Sequence, residues 1–197
     1  MTLPLVLASS SPYRRMLLQR LQLPFSWASP AVDETPLPNE QVAAMTLRLA
    51  LAKATAVATT HAAALIIGSD QACVLTGEAK IIGKPGNFDT ARRQLLACSG
   101  RSVTFHTSLI LLNSQTGTHQ SSHDVFTVHF RQLTEAGICR YLELEQPFDC
   151  AGSFKAEGLG IALFEQMEGN DFHSLIGLPL ISLCKLLRQS GLDPLQT

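Results

Sequence analysis

A chain of 197 residues, 46% of them hydrophobic and 16% charged, has enough apolar material to bury a core and is not composed like a disordered segment. Its formal net charge of −1 argues against a general nucleic-acid binder and for a small anion held in a local pocket. Five scattered cysteines without a CxxC pair argue against a disulfide framework, and no stretch has the length of a membrane span or the layout of a secretory signal, so the cytoplasm is the expected location.

In chain order, Leu3 to Ala8 is a short apolar run ending in three serines, as a buried strand feeding a turn would be. Ser11 and Pro12 then have the character of a helix cap and a first helical residue, with the helix continuing through Met16 to Leu21. Residues 29–40 are rich in proline and acid and read as a loop. Val42, Met45, Leu49, Ala52 and Ala56 fall at spacings of three and four, which predicts an alanine-rich helix. Ala64 to Gly68 predicts a second buried strand running into Ser69, Asp70 and Gln71. A small hairpin is expected around Thr76-Gly77, pairing Cys73–Leu75 with Lys80–Ile82.

Asp89 to Ala97 is expected to be helical. Val103–Asn113 and His119–Arg131 alternate as long strands joined through Thr116-Gly117, and Thr134 caps a helix running to about Glu143. A strand is expected at Ile161–Phe164. A closing helix follows from Leu178 to Gln189, with Pro179 early and Gly191 just past its end. Mixed strands and helices around a long antiparallel hairpin predict an α/β fold with an elongated mixed sheet flanked by helices.

The strongest chemical signal is Ala8-Ser9-Ser10-Ser11-Pro12-Tyr13-Arg14-Arg15. A strand ending in hydroxyl residues before a helix start gathers N–H and O–H groups and positive potential, which suits phosphate. Two arginines there oppose the helix dipole unless a bound polyphosphate reverses that sign. A plain capped helix with two solvated arginines stays open as a second reading. Asp70, directly after the end of a buried strand where ligands collect in open α/β sheets, can hold a divalent metal or accept a proton from an attacking water, while Asp33 and Glu34 qualify only with help. Lys53 and Lys84 each read alone as surface lysines, yet with Arg14 they would supply the positive charge that a triphosphate needs. Ala151-Gly152-Ser153-Phe154-Lys155-Ala156-Glu157-Gly158 reads by pattern as a turn. The histidines form no metal motif, and GxSxG is missing.

Taken in order, LASSSPYRR, PAVDE, the helix carrying Lys53, IIGSDQ, GKP, ARRQLLACSG, YLELEQPFDCAGSFKAEG and MEGNDFHSLIGLPL resemble the Maf family of nucleotide pyrophosphatases over nearly the whole chain. SPYRR, GSDQ and AGSFKAEG are similar to its YceF-type subgroup, associated with hydrolysis of 7-methyl-GTP to 7-methyl-GMP and pyrophosphate. Tyr13 stands where tryptophan is expected in that subgroup, and GEAKIIGKP has about two residues more than the usual approach to GKP.

The resemblance implies one Maf-like domain over residues 1–197, with two lobes around a cleft as in inosine triphosphatase-like folds. It implies phosphate binding by Ser9, Arg14, Lys53 and Lys84, a divalent metal (Mg²⁺ or Mn²⁺) at Glu34 and Asp70, and Asp70 as proton acceptor. Tyr13, Gln71 and Glu157 match positions linked to substrate choice. A methylated guanine is cationic and suits the face of Tyr13, while Glu157 can accept from guanine N1 and N2. The expected partner is a small nucleotide, with no nucleic acid and no membrane, and a homodimer is left open. The alternatives are a pyrophosphatase for another nucleotide, or a nucleotide-binding regulator of cell division.

Overall fold

The computed structural model describes residues 3–196, so the ends of the expected 1–197 domain (residues 1, 2 and 197) lie outside the described residues. The described chain divides into two compact units. The first comprises residues up to Gln71, Thr107–Asp124 and the stretch from Asp171 onward; the second comprises Ala72–His106 and Val125–Asn170. The strands form a seven-stranded mixed sheet in the order β2-β1-β3-β5-β6-β7, with β4 paired to β3. In chain order these strands are β1 Leu5–Ala8, β2 Phe25–Ala28, β3 Leu65–Leu75, β4 Ile81–Ile82, β5 Ser102–Asn113, β6 His119–Phe130 and β7 Phe164–Gly169. An α/β fold with a mixed sheet flanked by helices is therefore what the chain adopts.

In the first unit, β1 runs parallel to both β2 and β3, with Leu5 opposite Phe25 and Leu65. Strands buried on both faces need no polar alternation, which is why LVLA and LIIG are continuous apolar runs. Side chains still alternate across the pleat. Leu5, Leu7, Leu65, Ile67, Leu109 and Leu111 pack with Leu17 and Leu18 of α1 (Pro12–Gln19) and Leu183 and Leu187 of α6 (Leu180–Gln189). Val6, Ala8, Ile66, Ile110 and Leu112 pack on the other face with Ala50, Ala54 and Val57 of α2 (Val42–Ala58).

Helix α2 approaches the sheet at Gly68, where a Cβ would lie 2.1 Å from the Ala50 carbonyl oxygen and 2.9 Å from Ala54 Cβ. The obstructing atoms belong to backbone and a short side chain, so neither can swing aside. Gly68→Ala is expected to cost about 1–3 kcal/mol, the ordinary scale of overpacking. The check is a fall in the urea midpoint at constant m-value; an unchanged midpoint would mean that α2 yields without cost.

In the second unit, Cys73 and Val74 pair antiparallel with Ile82 and Ile81, as the expected hairpin requires. Helices α3 (Phe88–Cys98) and α4 (Glu135–Glu145) are capped by Asn87 and Thr134, each side chain accepting from a first-turn N–H. Phe105, Phe130, Phe154 and Phe164 make edge-to-face contacts with ring centroids 4.8–5.8 Å apart.

The expected strand at Ile161–Phe164 is corrected. Leu159–Leu163 is a 3-10 turn, and β7 begins at Phe164. Four apolar residues cannot by themselves separate strand from helix, and here Ile161 is exposed while its N–H bonds to Gly158 O. The first helix ends at Gln19 rather than Leu21. Two elements were not anticipated: β2, and the short helix α5 (Phe172–Ile176). No helix among the described residues is long and apolar enough to cross a membrane.

Candidate active site

The β1–α1 turn folds as its residues dictate. Ser11 is extended (φ −64°, ψ 121°) and its hydroxyl accepts from Arg14 N, with Pro12 opening the helix. Ser9, 4% exposed, accepts from Ser11 N at 3.1 Å, so its oxygen shapes the turn while its O–H remains a donor. Ala8 pairs with Gly68, so Ser9 leaves β1 beside Ser69 and Asp70 of β3.

The two arginines part company. Arg15 stacks over Trp27 of β2, 4.2 Å from the ring centroid. The half-buried Arg14 turns the other way, its Nε donating to Gly177 O at 2.8 Å. Burial pulls the Arg14 pKa down, and the charges of Asp70 and Glu34 resist that shift. Of the two arginines, Arg14 is the one whose charge the acids Asp70 and Glu34 act on.

Lys53 is the centre of those acids. It is buried, a correction to its reading as a lone surface lysine, and its Nζ meets Asp70 Oδ1 at 2.6 Å and Glu34 Oε1 at 2.8 Å. The close approach at Gly68 is what brings this turn of α2 to β3. Asp70 does not follow the end of a strand: β3 continues through it to Leu75, and the residue is 5% exposed. Burial raises the Asp70 pKa and Glu34 adds to the rise, against the lowering effects of Lys53 and Arg14. Burial thus outweighs two nearby cations, leaving a carboxylate more basic than an ordinary aspartate.

Glu34 is more exposed and is held through its loop. Asp33 accepts from Thr35 N and Oγ1, which hold its carboxyl below the usual range and commit it to the turn. Thr35 O accepts from Arg48 on α2, and Arg48 also forks onto both oxygens of Glu40 at 2.6 Å, lowering the Glu40 pKa to about 2. The structure therefore separates the two acids that the sequence left paired: Asp33 builds the turn, and Glu34 faces Lys53.

Gln71 follows Asp70, and its Nε2 donates to Ser174 O at 2.7 Å, Leu175 O at 3.1 Å and Thr107 Oγ1 at 3.0 Å. Tyr13 is half-buried in the first turn of α1. In the second unit, Lys84 is exposed beside the buried Pro85, and Glu157 is exposed. The segment before Glu157 is more than a simple turn. Ala151–Ser153 is a 3-10 turn, Phe154 enters the phenylalanine cluster, and Lys155 N donates to Tyr141 Oη at 3.0 Å. Gly177, Ser69, Thr107 and Ser174, which contact the site residues, were not singled out in the sequence. The Gly-Leu-Pro after residue 176 was the available signal for a chain reversal there.

Among the described residues no group of three His, Cys, Asp or Glu side chains is placed to hold a metal ion. Glu34 and Asp70 are two hard oxygen donors converging on one ammonium. Two carboxylates suit an ion such as Mg²⁺, which completes its shell with water and substrate phosphate rather than with a protein cage.

The model of the family described as Maf-like protein matches residues 4–190. Three proteins, each named 7-methyl-GTP pyrophosphatase, are similar over 191 residues. Those from Pseudomonas fluorescens Pf0-1 and Chromohalobacter salexigens are 59% and 52% identical, covering 97% of this chain and 98% of each relative. That from Vibrio vulnificus is 54% identical, covering 97% of both chains. A structure of the Staphylococcus aureus Ham1 protein aligns with a TM-score of 0.47 at 12% identity, over 64% of this chain and 71% of that one. With a family match over residues 4–190 and relatives this close, the chain belongs to the Maf family.

Proposed function

We propose that this chain is a nucleoside triphosphate pyrophosphatase of the YceF type that converts 7-methyl-GTP into 7-methyl-GMP and pyrophosphate in the cytoplasm. The observation that carries the reading is the buried Lys53 ammonium, held between Asp70 and Glu34 and accompanied by Arg14. The names and identities of the relatives supply the substrate.

Asp70 accepts a proton from the attacking water as the new oxygen–phosphorus bond forms at the α-phosphorus. The α–β bridging P–O bond breaks, and pyrophosphate leaves with its electrons. Lys53 is poised to exchange its carboxylate partners for phosphate oxygens, which frees Asp70 to act as a base. Arg14 offers a planar fork to the same phosphates, and the Ser9 hydroxyl donates. Lys84 is assigned to phosphate as well, Tyr13 to the face of the cationic base, and Gln71 and Glu157 to substrate choice. A divalent cation, Mg²⁺ or Mn²⁺, would be held by Glu34 and Asp70 with the phosphates, and would neutralise charge building on the leaving group.

The test is a panel of canonical and methylated nucleoside triphosphates with Mg²⁺ or Mn²⁺, ranked by kcat/KM with separate detection of pyrophosphate and orthophosphate. The expected result is pyrophosphate release, fastest from 7-methyl-GTP. Orthophosphate as first product, or a preference for a pyrimidine, would overturn the reading.

A further inference from the structure

The chain reversal at residues 171–177 makes contacts that the proposed chemistry has not used. Gly177 caps α5 in a left-handed conformation (φ +115°), which glycine adopts without strain, and a Cβ there would stand 3.4 Å from Arg14 Nε. Its carbonyl accepts from Arg14 Nε at 2.8 Å and from the buried Ser69 hydroxyl at 3.0 Å. With Nε committed, the guanidinium can turn only about that bond, and its terminal nitrogens form the edge available to an anion.

The reversal is itself pinned. Asp171, 3% exposed, accepts from His173 N at 2.9 Å and Ile181 N at 2.8 Å, tying the starts of α5 and α6. It also accepts from His173 Nδ1, while His173 Nε2 accepts from Arg20 at 3.0 Å. From the sheet side, Gln71 directs its Nε2 at two α5 carbonyls and at Thr107 Oγ1, which itself donates to Ser174 O. A flipped amide would set its oxygen against those two carbonyls, so this orientation is the one that the surroundings permit. The donors of Gln71 are spent inside the protein.

We infer that Gln71, Ser69 and Gly177 are positioning residues for Arg14: Gln71 anchors α5, Ser69 steadies the Gly177 carbonyl, and that carbonyl sets the direction of the guanidinium. Gln71 then shapes catalysis through Arg14, in addition to its assignment to substrate choice. This rests on the proposed role of Arg14 in phosphate binding.

A double-mutant cycle between Gln71→Leu and Arg14→Ala tests it, with two readouts: kcat/KM for 7-methyl-GTP and for GTP, and the Kd of pyrophosphate, which carries no base. Gln71→Leu is expected to lower both kcat/KM values by at least about tenfold. It should weaken pyrophosphate binding by about tenfold, with little further effect on that binding once Arg14 is alanine. Unaltered pyrophosphate binding, or additive effects on that binding in the cycle, would overturn the positioning role alone. Unchanged activity in Arg14→Ala would instead sink the phosphate assignment beneath it. Should Gln71→Leu fail to melt cooperatively, Ser69→Ala, which removes a single hydroxyl, takes its place in the cycle, and the same outcomes support or overturn the positioning role.

Discussion

Asp70→Asn is expected to lower kcat/KM by about 10²–10⁴, the usual contribution of a general base, while the protein keeps a cooperative melt within a few degrees of the parent. The amide is the same size as the carboxyl, and its oxygen can still accept from Lys53, which retains Glu34 as its counter-ion. Loss of a buried charge offsets part of what the weaker Lys53 contact costs. In the parent, the acid limb of the pH–kcat/KM profile should lie above the ordinary aspartate range, because burial raises the Asp70 pKa in the folded protein. Wild-type turnover by Asp70→Asn would remove Asp70 from the chemistry.

Lys53→Met is expected to lower kcat/KM by roughly 10²–10³, the scale of losing one charged donor to a developing anion. It should also move the acid limb to higher pH. Lys53 is the largest influence holding the Asp70 pKa down, so without it burial and the Glu34 charge act with less opposition. The stability effect has the same origin. A carboxyl whose pKa is raised on folding holds its proton to higher pH in the native state than in the unfolded chain. Stability from that group is therefore greatest below the unfolded pKa and declines as pH rises through the folded one. Lys53→Met should accordingly lose more melting temperature, relative to the parent, at pH 8 than at pH 5. An acid limb that stays in place would show that Lys53 does not set the ionisation of Asp70.

Much of the framework was legible residue by residue. The Ser11–Pro12 start of α1, the Asn113–His119 connection between β5 and β6, and the Thr134 cap of α4 all use chemistry contained within a few neighbouring residues. Where a segment was too short to show its period, the reading failed. Ile161–Phe164 proved to be mostly a 3-10 turn, while β2 and α5, with four and five residues, went unseen. The acids and cations of the site could be named as candidates, but not divided into roles.

That division returns to the Ser-Pro-Tyr-Arg-Arg turn. By itself the sequence determined that a strand ends there, that a capped helix begins, and that two arginines occupy its first turn. Only the tertiary structure decided that Arg15 goes to Trp27 and Arg14 to Gly177, that Lys53 is buried between two carboxylates, and that Gln71 turns its donors inward. Caps and periods depend on residues three or four apart. The partner of a buried charge is chosen by desolvation, and here it stands 17 positions away for Lys53 and Asp70, and 163 away for Arg14 and Gly177.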